Sequence, residues 1–305
     1  MQLPSFAEPA PELVPVQVVA EWPEMTFLEN LAAAPDGAFW ITHYVGGEVY
    51  RVDPAAGGAV ELVAKTEGFH PTGIAFAADG SAVLAGHRQP MFEARPPEAQ
   101  DGFWQLRPRG AITHIVDAPG ARFLNGLTPA GGDRFYAADS ISSQVWEVDL
   151  AAGTATVALH HELLGPLDVD TPLPAANGIK VLDRWLYVSN WVKSLIVRSP
   201  IRADGTLGEP EIVAEDLVVD DFAFSADGSL FGATHMATVV RLDSDGKTRT
   251  VGGPEQLVAG CTATAFRPGD DGLYVITDGG VVANEPEPAR LVRLAVGRSG
   301  APLPG

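Results

Sequence analysis

The chain has 305 residues, with 39 acids against 20 lysines and arginines, a net charge of −19 and one cysteine, Cys261. Such an acidic excess repels phosphate backbones and anionic lipid surfaces, which argues against nucleic-acid and membrane partners, and a single thiol forbids an internal disulfide. No apolar run approaches the ~18 residues of a membrane span, and no Lys or Arg precedes Arg51 to begin a secretory leader, so a cytoplasmic protein is expected. In chain order, residues 1–13 read as a flexible Pro-rich tail, and 14–20 as a first strand. From there one short phrase recurs. It opens at Glu29, Thr72, Asn125, Asn177, Asp220 and Thr262 and continues through small and apolar residues, as in Thr72-Gly73-Ile74-Ala75-Phe76.

The openings are spaced by 43, 53, 52, 43 and 42 residues, the range of propeller blades built from four strands each. Each phrase leads to a turn such as Pro35-Asp36-Gly37, Ala78-Asp79-Gly80 or Ala226-Asp227-Gly228, where glycine supplies the positive φ that hairpins need. An apolar strand then returns, as at Phe39-Trp40-Ile41-Thr42 or Leu230-Phe231-Gly232-Ala233, and further strands follow. These features predict an all-β fold: a single six-bladed β-propeller over 14–298, with four-stranded antiparallel blades and a C-terminal tail at 299–305. The N-terminal strand at 14–20 is expected to complete the last blade beside 290–296, because an open ring would leave sheet edges exposed.

The opening position of the phrase is where the repeat varies. If each variable residue begins the strand nearest the central channel, all six meet at one end of it. Glu29, Asn125, Asn177 and Asp220 then form a hard-oxygen set that suits Ca²⁺, Mg²⁺ or Mn²⁺, and Asp221 could add another oxygen. Asn-Gly is also a turn signal, so each asparagine taken alone has a purely structural alternative. Hairpin geometry returns a second ring to the same end: His43, His87, Asp139, Asn190, His235 and Asp278. Histidine titrates near neutrality and is the usual proton carrier. Two long insertions, 88–101 and 160–176, fall on this face and bring Met91, Phe92, Leu163, Leu164 and Leu167 as apolar contact surface.

Leu28-Glu29-Asn30, Leu124-Asn125-Gly126, Ala176-Asn177-Gly178 and Val219-Asp220-Asp221 resemble the metal-site motifs of the senescence marker protein/gluconolactonase/luciferin-regenerating family of six-bladed propellers, with paraoxonases as more distant relatives. The resemblance runs from about Phe27 to Gly280. It implies one divalent cation held by Glu29, Asn125, Asn177 and Asp220, with Ca²⁺ first and Mg²⁺, Mn²⁺ or Zn²⁺ as alternatives. It also implies hydrolysis of a lactone or related ester. The family often reads Glu-Gly-Pro at the first ligand, where this chain has Glu29-Asn30-Leu31, and it places a substrate arginine where this chain has Phe123, with Arg122 one residue away. Those departures point to a less polar substrate than a sugar lactone.

Asn125, Thr72, Asn190, Phe123 and Met91 are the expected substrate contacts. Relatives often use the aspartate as base, so Asp220 is a candidate, but ligation lowers a carboxylate pKa and weakens it as a base. His235 and His43, each sharing a blade with a carboxylate ligand, therefore come first as proton carriers, followed by His87 and Asp139. Two other readings stand beside hydrolysis: an isomerase or cyclase on the same metal site, and a binding propeller with a structural cation.

Overall fold

The computed structural model describes residues 9–89, 100–107, 111–168 and 173–302. It contains six four-stranded antiparallel sheets, one per blade. Three single-turn 3₁₀ helices are the helical segments among the described residues. The first strands of the blades are Leu28–Ala33, His70–Phe76, Leu124–Gly131, Ala176–Leu182, Phe222–Phe224 and Cys261–Phe266. Residues from all six line one central cavity of ≈160 Å³, so these are the inner strands.

The ring closes as the alternation at 14–20 predicts. Val16–Glu24 pairs antiparallel with Pro288–Leu294 and forms the outer strand of blade six. Pairing the two chain ends in one sheet makes ring closure a matter of ladder hydrogen bonds rather than packing alone.

The segments expected as tails are docked where they are described. Glu12 N–H donates to Thr250 O, Thr250 N–H donates to Ala10 O, and the Glu12 carboxylate meets Arg241 at 3.1 Å. At the other end, Ala226 N–H donates to Ser299 O and Ala301 N–H to Phe224 O. The inner strand of blade five is only three residues long and leaves backbone groups to satisfy, and the C-terminal segment satisfies them. Gly300 permits the approach, since a Cβ there would strike the Phe266 side chain. Ala301 and Pro302 thereby cover one end of the cavity.

Apolar packing is divided by junction rather than concentrated at one centre. Six buried clusters each lie between adjacent blades, such as Phe103, Phe135 and Trp146 between blades two and three, and Phe39, Tyr274 and Trp22 between one and six. Cys261 belongs to the cluster between blades five and six, fully buried, as a small hydrophobe would be.

Each junction also carries a hydroxyl stitch. Thr42 donates to Thr72 O, Thr72 to Leu124 O, Ser140 to Ala176 O, Ser189 to Asp220 O, Thr264 to Phe231 O and Thr262 to Leu28 O. The carbonyls they reach belong to buried residues of a neighbouring blade, so without a donor each would cost about 1–3 kcal/mol.

Candidate metal centre

The variable residues of the phrase sit in β-bulges, and that is what aims them. Pairing of inner and second strands is interrupted between Leu28 and Asn30, Pro71 and Ile74, Leu124 and Leu127, Ala176 and Ile179, and Cys261 and Ala263. Glu29, Thr72, Asn125, Asn177 and Thr262 occupy those gaps. In blade five, Asp220 N–H donates to Ala233 O while Ala233 N–H donates to Asp221 O, so two residues again oppose one. A bulge turns a side chain out of the regular alternation and re-aims it, here at one level of the ring.

The glycine of Asn-Gly is not there for a hairpin. Gly126 has no room for a side chain because its Cβ would lie 2.5 Å from Asn177 O, and Gly178 would meet Asp220 O at 2.8 Å. Gly73 stands in the same relation to Asn125 O. Along blades two to five, each glycine lets the backbone of the next variable residue come close. The inner strands there converge more tightly than side chains would allow.

Contacts among the four oxygen donors follow from this approach. Asn177 Nδ2 donates to Asp220 Oδ1, and Asn125 Nδ2 donates to Ser140 Oγ at 3.3 Å. Those bonds fix both amides with their carbonyl oxygens turned the other way. Asn125 Oδ1 is buried with no hydrogen-bond partner. Glu29 is partly exposed, yet burial of its carboxyl, followed by the like charge of Asp220, pushes it up to about 8. His235 pulls the other way, while Asp221 and Asp278 add to the rise.

An orphaned amide oxygen beside crowded carboxylates is a donor set that a hard divalent cation would complete. Among the described residues no three His, Cys, Asp or Glu side chains form a metal-holding group. A cation here would need the asparagine oxygens beside the carboxylates of Glu29 and Asp220.

His235 alone among the second-ring residues is tied to these donors by a hydrogen-bond-length contact. Its Nδ1 lies 2.8 Å from Asp220 Oδ2 and its Nε2 3.8 Å from Asp278 Oδ2. Its backbone is left-handed, with φ 59°, a strained conformation for a side-chain-bearing residue, and its N–H donates to Cys261 O. Burial opposes charge on the ring, but Asp220, then Asp278 and Glu29, outweigh it and raise its pKa well above the usual imidazole value.

The other second-ring residues build loops or junctions. Asp139 accepts from the N–H groups of Arg122, Phe123, Ile141 and Ser142. Asn190 donates to Leu163 O and Gly165 O and accepts from Lys193 N–H. Asp278 accepts from Gly280 and Val282 N–H. His87 Nε2 meets Leu124 O at 2.6 Å, and its ring packs against Phe123. His43 pairs with Glu48 at 3.2 Å and stacks on Tyr50; burial lowers its pKa, with Glu48 opposing. Thr72 spends its hydroxyl on Ala85 O and Leu124 O.

An aromatic cluster that the phrase alone does not reveal packs at this end of the ring. Phe27, Tyr44 and Phe123 form it with Ile141 and Val281, from loops of blades one, three and six, and Phe27 meets the His235 ring edge-on at 5.8 Å. Reading the phrase two residues earlier would have found it, since Phe27-Leu28-Glu29 and Phe123-Leu124-Asn125 share their opening. In the second insertion, Leu164 is core while Leu167 is exposed. Met91 and Phe92 lie outside the described residues.

No family model and no curated protein matches the chain. Among solved structures it is similar to regucalcin, a calcium-binding protein from Agrobacterium tumefaciens, at 19% identity over 98% of both chains with a TM-score of 0.70. It is also similar to a luciferin-regenerating enzyme, at 14% identity over 95% of this chain and 99% of the other with a TM-score of 0.73. A gluconolactonase from Xanthomonas campestris aligns at 15% identity over 92% of this chain and 89% of its own, with a TM-score of 0.67. At such identities the likeness is one of fold: the chain shares the propeller architecture of regucalcin, luciferin-regenerating enzyme and gluconolactonase.

Proposed function

We propose that this protein is a divalent-metal-dependent hydrolase of a lactone or related ester. What supports the reading is that Glu29, Asn125, Asn177 and Asp220 stand at the equivalent bulge of four blades, with Asn177 bonded to Asp220, Asn125 Oδ1 left unpartnered and His235 bonded to Asp220. Those four residues would hold the cation, and Ca²⁺ is the first choice for an all-oxygen set of this kind. When bound, such an ion polarises a carbonyl and favours water attack. The fold neighbours support the reading by what they are, one a calcium-binding protein and one a gluconolactonase.

His235 is the proton carrier in this reading. Asp220 is a poor base, since one of its oxygens holds the imidazole and the other accepts from Asn177. The surrounding carboxylates favour the charged form of His235, which would suit it to donate a proton to a leaving alkoxide. Neutralising Asp220 and Glu29 with a cation would weaken that hold on the proton and let the ring also accept one. Nε2 is buried without a hydrogen-bond partner, 3.8 Å from Asp278, and Phe27 packs edge-on against the ring. Phe123 and Tyr44, buried against each other, would favour an apolar substrate portion.

The test is acid release from a panel of γ- and δ-lactones and simple esters, with metal-stripped and reloaded protein. Metal-dependent release supports the reading. Turnover without acid release would favour an isomerase or cyclase, whose proton transfers the same imidazole could serve. A metal-dependent rise in Tm with no turnover on any substrate would favour a binding propeller.

A further inference from the structure

Beneath the candidate ligands lies a buried ion pair. Lys180 Nζ, from the inner strand of blade four, is 2.5 Å from Asp221 Oδ1 in blade five. Asp221 is buried at 3% exposed and Lys180 partly buried at 17%, and the Lys180 ammonium also lies 5.5 Å from the centre of the Phe222 ring. Lys180 follows Asn177 by three residues, and Asp221 adjoins Asp220. Asp221 Oδ1 presses on Gly178, where a Cβ would come within 2.6 Å of it, and Asp221 Oδ2 is buried with no partner.

All six junctions carry a hydroxyl stitch; the one between blades four and five has, beside that from Ser189, a charge pair whose lysine stands on an inner strand. A charge pair is a costly way to join two strands, because both ions must be stripped of water. Its position supplies a reason. Glu29, Asp220, Asp221 and Asp278 form an acidic group whose fields reach one another, and Lys180 is the one lysine or arginine paired with a member of it among the described residues.

Resting on the metal-centre reading, we propose that Lys180 is a fixed internal counter-charge of that centre: by engaging Asp221 it weakens the acidic group's hold on the divalent cation and so sets how tightly the ion is bound. Lys180 is among the residues that line the central cavity, and partial burial strengthens its field on Asp221 relative to water.

The test is the sign of the change in Ca²⁺ affinity, measured by isothermal titration on metal-stripped wild type, Lys180→Met and Asp221→Asn. A counter-charge role requires opposite signs. Lys180→Met should bind Ca²⁺ more tightly, on the order of tenfold, and Asp221→Asn should bind it more weakly by a similar factor. The double variant should return to within about threefold of wild type, because the two deletions cancel.

A merely structural clamp would lower affinity in both single variants, and that result overturns the proposal, as does an unchanged Lys180→Met. If Lys180→Met does not fold, Lys180→Gln takes its place: tighter binding supports the proposal, and weaker or unchanged binding overturns it. Wild type that binds no Ca²⁺ removes the metal-centre reading itself, whereas wild type that binds while both variants match it removes only the role of Lys180.

Discussion

Blades two and six carry Thr72 and Thr262 at the same bulge where blades one, three, four and five carry Glu29, Asn125, Asn177 and Asp220. The backbone position is equivalent; the reach differs. A threonine hydroxyl extends only to the adjoining blade, and both threonines donate to a neighbouring carbonyl there. The longer amides and carboxylates pass that point, and Asn125 Oδ1 ends without a partner. At six equivalent places the two threonines join neighbouring blades, while Asn125 keeps an oxygen free and Asn177 and Asp220 bond to each other.

Deleting an oxygen donor should break that division most severely. Glu29→Gln and Asp220→Asn should abolish the Ca²⁺-dependent rise in Tm and reduce lactone or ester hydrolysis by about 10³-fold, a loss of the size seen when transition-state charge goes unsupported. Next comes the proton carrier. His235→Gln should cut turnover by about 10²–10³-fold while leaving Ca²⁺ able to raise Tm, and His43→Gln, held at Glu48, should change turnover by less than about threefold. Equal losses in the two would remove His235 from its assigned role.

The threonine side of the comparison is tested by stability. Gly126→Ala forces a methyl against Asn177 O and should cost about 2–3 kcal/mol in chemical denaturation. Gly80→Ala has open space but a φ of +80°, and should cost about 1 kcal/mol. Thr262→Val should lose about 1 kcal/mol through its unmade bond to Leu28 O and leave Ca²⁺ affinity unchanged. A loss of affinity there would mean that the short residues also serve the ion.

The smallest effect lies away from the centre. In the Asp270–Arg293 pair, burial opposes the charge on Asp270, but Arg293, Tyr274 and Gly272 outweigh it and hold the carboxyl at about 2. A depressed carboxylate stabilises the fold above its unfolded pKa of about 4, and that stability is lost as pH falls through about 2. Asp270→Asn should therefore flatten the stability profile between those values, read from urea midpoints against pH.

Much of the architecture was legible because it is local and repeated. Spacing, turn glycines such as Gly37 and Gly228, and the strand-like ends at 14–20 and 290–296 are properties of short segments, and the ring follows from them. What was not legible depends on contacts between blades. The glycines of Asn125-Gly126 and Asn177-Gly178 read as turn signals, and only the neighbouring carbonyl explains them.

Asp139, Asn190, Asp278 and His235 look equivalent at their position in the repeat. Asp139 and Asn190 turn back to cap their own loops, Asp278 does so while also facing His235, and of the four His235 meets the Asp220 carboxylate. Asx side chains have that local option and histidine's longer ring largely does not. The docking of 299–302 answers the shortness of the inner strand in blade five, which no pattern within the tail announces.

The central claim is that Glu29, Asn125, Asn177 and Asp220 hold one divalent cation. Anomalous diffraction from crystals soaked in Mn²⁺ addresses it most directly. The account requires a single strong peak in the channel, with oxygens of all four side chains at about 2.0–2.6 Å. A peak held by other residues, or no peak at that level of the ring, would contradict it.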